Sequence, residues 1–271
     1  MSIPDPTPDT AALITGASAG IGAAIARELA ERGHGVVLVA RRRDRLRELA
    51  AQLERECGVR AETVACDLAR PATWRRLQER VRALGLEVSI LVNNAGFATG
   101  GPFHESDADR ELEQVRVLVE AVVALTRAFV APMVQRGGGA VLNVASTAGM
   151  QPMPYSAGYA AAKAYVLSFS EALHQELSGT GVTVTALAPG PVATEFWKVA
   201  GWQVGGGSFQ GAVPRPAWVS AEQAASAGVR GLEAGSRVVI PGLPMRAGML
   251  AARYLPNAVK LPALEWAMRR R

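Results

Sequence analysis

The chain has 271 residues, 49% of them apolar and 20% charged, which excludes general disorder and suits one large α/β domain or two small ones. Its formal charge is +5 and its pI about 9.7. The arginines concentrate at Arg41–Arg47 and Arg269–Arg271 rather than along one face with interleaved aromatics, so an anionic cofactor and a basic tail, not nucleic acid, are the expected reasons for the charge.

In chain order, Met1–Thr10 is polar and proline-rich. It lacks the basic start and apolar run of a signal peptide and predicts a loose arm over residues 1–10. No segment reaches the eighteen or so uninterrupted apolar residues of a spanning helix. Strands are predicted at Ala11–Thr15, Val36–Ala40, Glu62–Cys66, Ser89–Asn93, Ala140–Ala145, Val182–Leu187 and Arg237–Ile240. Helical spacing of apolar residues runs through Ile21–Arg32, Arg43–Glu56, Pro71–Leu84, Ala108–Gln135, Tyr159–Leu177 and Ala221–Glu233. Continuous apolar strands alternating with helices predict a parallel sheet covered on both faces. Right-handed crossovers make it a doubly wound, Rossmann-type α/β domain over residues 11–240.

Two regions break the rhythm. Ala193–Val219 holds Phe196, Trp197, Trp202, Phe209 and Trp218 among glycines, Pro214 and Pro216; it predicts an apolar substrate lid, with ordinary packing as the alternative. The tail, 241–271, mixes Met249, Tyr254, Leu255, Val259 and Trp266 with Arg246, Arg253 and Lys260. It predicts short amphipathic helices broken at Pro256 and Pro262, an extension of the same domain. Its own domain, a second subunit and a membrane surface are all open to it as partners. Cys57 and Cys66 fit no disulfide framework and read as reduced thiols of a cytoplasmic protein. His34, His104 and His174 match no zinc spacing, so no metal is expected, and His174 is expected on the surface or at a subunit contact.

The first strand runs into Thr15-Gly16-Ala17-Ser18-Ala19-Gly20-Ile21-Gly22 at the start of a helix. Glycines there permit a tight turn and close approach of backbone to a pyrophosphate, and free N–H groups at the helix start favour its charge. Gly16, Ser18, Gly20, Ile21 and Gly22 are therefore candidate cofactor contacts. The second strand ends at Ala40, and no acid lies between Val36 and Arg43. An acid at this strand end binds the free ribose hydroxyl of NAD, whereas an arginine accommodates a 2′-phosphate. This predicts NADP(H), with Arg41 as its contact and a solvated charge run as the alternative. Asp67-Leu68 and Asn93-Asn94-Ala95-Gly96 follow the third and fourth strands, where open α/β sheets bind ligands. Asp67 is expected at the adenine amino group, Asn94 and Gly96 along ribose and adenine.

Ser146 closes the fifth strand, and Tyr159 and Lys163 stand four residues apart on one helical face. An ammonium beside a phenol favours the phenolate and lowers the tyrosine pKa. Tyr159 then serves as the general acid for the alkoxide that hydride delivery creates, Ser146 holds the substrate oxygen, and Lys163 reaches the nicotinamide ribose. No G-x-S-x-G surrounds Ser146, which argues against a hydrolase.

With these motifs in place, the chain resembles the short-chain dehydrogenase/reductase family over roughly Ala11–Ile240. Thr15–Gly22 matches its cofactor loop, Asn93–Gly96 its N-N-A-G, and Ser146, Tyr159 and Lys163 its catalytic residues. Pro189-Gly190-Pro191-Val192 with Thr194 matches the segment at the nicotinamide end. The resemblance implies strand order 3-2-1-4-5-6-7, a homodimer or homotetramer, and, through Arg41, the NADP-preferring subgroup. The family also carries an asparagine in the helix before the catalytic strand, whose backbone kinks the helix and holds a relay water. Here that position is Leu118, and no asparagine occurs between Gly96 and Asn143; the expectation is a rerouted or slower relay. The combined expectation is an NADPH-dependent carbonyl reductase, reversible to an alcohol dehydrogenase, acting on a hydrophobic ketone or aldehyde. A 3-oxoacyl thioester reductase is the alternative within the class, and a non-catalytic nucleotide-binding regulator the alternative outside it.

Overall fold

The computed structural model describes residues 3–196, 203–204, 207–208 and 218–269. Seven strands form one sheet: β1 (Thr10–Thr15), β2 (Gly35–Ala40), β3 (Ala61–Ala65), β4 (Glu87–Asn93), β5 (Gly139–Val144), β6 (Val182–Leu187) and β7 (Val238–Val239). Their spatial order is 3-2-1-4-5-6-7 and every pairing is parallel. Strand order reverses between β1 and β4, so the loops leaving their carboxyl ends diverge and open a crevice. The predicted seventh strand is shorter than expected, because only Val238 and Val239 pair with β6.

The helices that cover the sheet are α1 (Gly20–Ala30), α2 (Arg43–Cys57), α3 (Ala72–Ala83), α4 (Ala108–Val115), α5 (Ala121–Arg136), α6 (Ala157–Glu176) and α7 (Ala221–Glu233). Most do so through an apolar stripe; α4 instead buries only Gln114 and packs on α6. On α2, Leu46, Leu49, Ala50 and Leu53 are buried at helical spacing, each leucine contributing roughly 1.5–3 kcal/mol, and Gly58 ends the helix at φ 68°. On α7, Ser220 and Gln223 form a reciprocal capping box. One apolar cluster lies beneath α1, α2 and α7, including Ile25, Leu29, Leu53, Ala225 and Val229. A second lies beneath α3 and α5, including Leu77, Val81, Leu125 and Met133. The helix predicted at Ala108–Gln135 extends to Arg136 and contains a π turn, Arg116–Glu120, between α4 and α5. By length and composition this run is apolar enough to cross a membrane; α5 packs on β4 and β5.

The tail forms α8 (Leu243–Arg253) and α9 (Asn257–Arg269). Pro256 separates the two as expected. Pro262 does not break the chain's course: it lies within α9, where its missing N–H costs one helical hydrogen bond. Within the lid prediction, 203–204 and 207–208 pair as a short antiparallel ribbon. Trp197, Trp202, Phe209, Pro214 and Pro216 lie outside the described residues.

Candidate active site

The crevice between β1 and β4 is built around glycines. Gly16 has φ +69°, and a Cβ there would stand 2.7 Å from the Asn94 amide nitrogen. Gly20 has φ +58° and faces the Thr194 methyl, 3.1 Å from where its Cβ would lie. At Gly22 a Cβ would fall 2.5 Å from the Gly16 carbonyl oxygen, so this glycine works behind the loop, letting α1 close on it. Helix α1 starts without a side-chain cap on Ala19, leaving its first N–H groups for an anion. The loop is braced from β4. Thr15 Oγ1 accepts from the Asn94 and Ala95 N–H groups at 2.9 and 3.0 Å, and the Asn94 amide donates to the Thr15 carbonyl at 2.9 Å. The Asn94 side chain expected along the nucleotide is thus engaged with the loop itself, because the strand reversal puts the two carboxyl ends side by side.

At one end of the crevice stand Arg41 and Arg42 with Ser18. Arg42 is the organised one: its Nε and Nη2 donate to Ser18 Oγ at 3.1 and 2.9 Å, and its Nη1 donates to Glu195 at 3.0 Å. Arg45 donates to the same Glu195 oxygen at 2.8 Å, and the two arginines hold that carboxyl down at about 2. Arg41 lines the cavity and is exposed. Sequence reasoning named Arg41 and missed Arg42, Arg45 and Glu195. Asp67 lies at the end of β3, accepts from the Ala69 N–H at 3.2 Å and pairs with Arg70 at 3.4 Å.

At the other end Ser146, Tyr159 and Lys163 come together. Ser146 caps a 3₁₀ turn, Thr147–Met150; its Oγ accepts from the Ala148 N–H at 3.1 Å and donates to the Pro189 carbonyl at 3.5 Å. Lys163 is 5% exposed, and its Nζ donates to the Val144 carbonyl at 2.6 Å and lies 5.8 Å from the Tyr159 ring centroid. Burial pushes the Tyr159 phenol up to about 12, against a smaller downward pull from its hydrogen bond with Ser146. Burial also pushes Lys163 down to about 8. Spacing alone predicts that the ammonium lowers the phenol's pKa. The structure reverses that, because both groups are desolvated together and desolvation disfavours both charged forms.

Leu118 sits in the π turn, 1% exposed, with its Cδ2 2.7 Å from where a Gly96 Cβ would be. The Ala121 N–H reaches back five residues to the Arg116 carbonyl, so the helix is irregular here without an asparagine, as helices with such insertions often are near functional sites. His174 is half-buried, and its Nδ1 lies 2.7 Å from the Val184 carbonyl, which ties α6 to β6.

One cavity of about 660 Å³ joins the two ends. Of the predicted cofactor residues, Gly16, Ser18, Gly20, Ile21, Arg41, Asp67, Leu68, Asn94, Ala95, Gly96, Pro189, Gly190, Val192 and Thr194 all line it, together with Ser146, Tyr159 and Lys163; Gly22 does not. Beside Tyr159 lie the apolar Ala98, Met153 and Phe196; Phe97, Met245 and Met249 also line the cavity, as do Glu113 and Gln151. The Phe196 ring lies 5.7 Å from the Tyr159 ring. Met245 and Met249 come from α8, and Met268 of α9 packs with Ala98, Met153, Tyr159 and Phe196. The described part of the tail therefore packs on its own domain. Nothing in the local sequence marked these methionines as pocket residues. Among the described residues no cluster of His, Cys, Asp and Glu could hold a metal.

The 3₁₀ turn that carries Ser146 rests directly on α6. A Cβ at Gly149 would stand 2.5 Å from the Lys163 carbonyl carbon and 2.6 Å from the Ala164 nitrogen. Helix backbone yields little, so Gly149→Ala is expected to destabilise the fold by about 1–3 kcal/mol and to lower turnover by moving Ser146 off Tyr159. Urea unfolding and initial rates check this; unchanged stability and rate would show that the turn gives way freely.

Residues 10–203 match the family model described as short chain dehydrogenase. The chain is 34% identical over 195 residues to a very-long-chain 3-oxoacyl-CoA reductase of Anas platyrhynchos, a match covering 70% of this chain and 62% of that relative's length. Among solved structures it is similar to a short-chain dehydrogenase from Sphingobium yanoikuyae in complex with NADPH, with a TM-score of 0.80, 34% identity, and 94% of this chain and 95% of that one covered. It is also similar to the bulky-bulky ketone specific alcohol dehydrogenase from Comamonas testosteroni, with a TM-score of 0.74, 29% identity, and 92% and 100% covered.

Proposed function

We propose that this chain, which belongs to the short-chain dehydrogenase family, uses NADP(H) to interconvert a carbonyl and an alcohol on an apolar substrate. One observation carries the reading: a single cavity runs from the Ser18–Arg42 end to the Ser146, Tyr159 and Lys163 end, and its wall beside Tyr159 is apolar. The glycine cradle fits a dinucleotide: Gly16 and Gly20 hold positive φ and pack so closely on Asn94, Ala95 and Thr194 that side chains there would push the loop out of shape, and the uncapped start of α1 leaves N–H groups for a pyrophosphate. Arg41, Arg42 and Ser18 would hold the 2′-phosphate; Asp67 and Leu68 the adenine; Ala95, Gly96 and the Asn94 backbone the adenine side of the ribose; Lys163 and Pro189, Gly190, Val192 and Thr194 the nicotinamide end. The bound nicotinamide would supply or accept the hydride.

The chain's own residues do the rest. Ser146 Oγ hydrogen-bonds the substrate oxygen and sets it beside the Tyr159 hydroxyl. The phenol, held protonated by its burial, donates its proton to the oxygen as negative charge develops there. Below about pH 8 the Lys163 ammonium adds positive charge beneath that oxygen in a site of low dielectric. Phe97, Met153, Phe196, Met245 and Met249 exclude water and accept an apolar group, the methionines adapting to its shape.

A second reading, reduction of a 3-oxoacyl thioester, is favoured by the likeness to the Anas platyrhynchos reductase. Both are tested by NADPH oxidation with two series, aryl and bulky dialkyl ketones, and 3-oxoacyl thioesters of increasing chain length. Turnover of the ketones, with kcat/KM rising with apolar bulk, is the expected result. Preference for the thioesters would move the assignment to the second reading. Tight NADPH binding without turnover of either series would make the protein a binding module.

A further inference from the structure

We infer that Glu195 is an internal anion that competes with the cofactor's 2′-phosphate for Arg42, so that the phosphate-bearing nucleotide must displace this carboxylate to bind. The inference rests on the NADP(H) reading above and adds a residue that opposes it. Ser18 and Arg42 form a compact donor pair at the end of the crevice. The guanidinium turns two of its nitrogens to Ser18 and the third to Glu195. The same carboxylate oxygen takes Arg45 at 2.8 Å, so one acid satisfies two cations. Arg42, Arg45 and Glu195 are all about half exposed, at 46%, 46% and 49% of their side-chain surface. Arg42 and Glu195 both line the cavity, as does Ser18 of the glycine loop.

Position makes this more than a surface ion pair. Glu195 is held from both sides in the chain: Thr194 packs against Gly20, and Phe196 packs against Tyr159. The acid therefore stays at the crevice mouth instead of ranging over the surface. A dianionic phosphate on Ser18 and Arg42 offers the guanidinium a stronger, charge-assisted partner than one carboxylate oxygen. It also brings like charge against Glu195 within far less than a Debye length. The two anions exchange on Arg42, and Arg45 is left to hold the displaced acid. A nucleotide without the 2′-phosphate meets no such competition and gains nothing from displacing it.

The test is direct binding, by isothermal titration of the full chain, of NADPH, NADH, 2′-AMP and 5′-AMP to the wild type and to Glu195→Gln. Expected is a tightening of NADPH and 2′-AMP by about threefold to tenfold, with NADH and 5′-AMP within about twofold, and a gain that shrinks as salt is raised. In an Arg42→Ala background the same substitution is expected to bring less than about twofold, since the contested cation is gone. Weaker or unchanged NADPH binding by Glu195→Gln would overturn the inference and make Glu195 a residue that positions Arg42 for the phosphate. Equal tightening of NADH would overturn it as well. If neither NADPH nor 2′-AMP binds the wild type while NADH does, the NADP(H) reading falls and this inference falls with it.

Discussion

Tyr159→Phe is expected to lower kcat for carbonyl reduction by at least about a hundredfold, within the range that loss of a positioned general acid produces, while NADPH binding stays within about twofold. The substitution removes one hydroxyl and keeps the ring, so the packing against Phe196 at 5.7 Å persists. Ser146 keeps its contacts to the Ala148 N–H and the Pro189 carbonyl, so the 3₁₀ turn is not released. What disappears is the proton. Burial sets the phenol at about 12, so at neutral pH the wild-type group is fully protonated and each turnover starts with the acid loaded. Phenylalanine has nothing to give, and the developing alkoxide must draw its proton from water that the apolar wall keeps out. Stopped-flow single turnovers and nucleotide titration separate the two effects. A variant with wild-type single-turnover rates would remove Tyr159 from the proton path, and a variant that had lost nucleotide binding would assign the residue to binding instead.

The fold was legible because its signals are local and repeated. Apolar runs such as Val36–Ala40 and Ala140–Val144 are buried on both faces, and that is what a parallel strand under two helix layers requires. The glycine loop and the Tyr159–Lys163 spacing were legible for the same reason, since turn chemistry and a shared helical face are set within a few residues. Side-chain direction was not. Arg41 and Arg42 are adjacent and chemically identical, and only the tertiary placement of Ser18 and Glu195 gives Arg42 its partners. Met245 and Met249 lie about fifty residues beyond the end of the cofactor motifs and reach the pocket through the course of the tail. The expected lowering of the Tyr159 pKa is overturned because spacing places two groups together but says nothing of how much water surrounds them. At Leu118 the absent asparagine pointed to a rerouted or slower relay and said nothing of the backbone, which forms a π turn there that no single residue type announces.

Lys163→Met carries the other large effect, and its two consequences have opposite signs. Turnover is expected to fall by about a hundredfold or more, as the buried charge beneath the reacting oxygen is lost. Stability at pH 7 is expected to rise. The lysine's pKa falls from 10.5 to about 8 on folding, so between those values the unfolded chain binds the extra proton and the folded chain does not. Stability of the wild type therefore increases as pH rises from about 8 to 10.5, and below about 8 the full penalty for burying the charge is present. A shift of that size corresponds to roughly 3 kcal/mol. Methionine nearly fills the same volume and forfeits the hydrogen bond to the Val144 carbonyl, a loss of about 1 kcal/mol, so a net gain near 2 kcal/mol remains. Because the wild-type penalty fades with rising pH, the advantage of the variant is expected to shrink through this window and, above pH 10.5, to reverse into a deficit of about 1 kcal/mol, the lost hydrogen bond alone. Urea unfolding of both proteins at pH 7 and at pH 10.5 reads the difference directly. A variant less stable than the wild type at pH 7 would mean that the Val144 contact outweighs desolvation, and that Lys163 holds the site together as well as charging it.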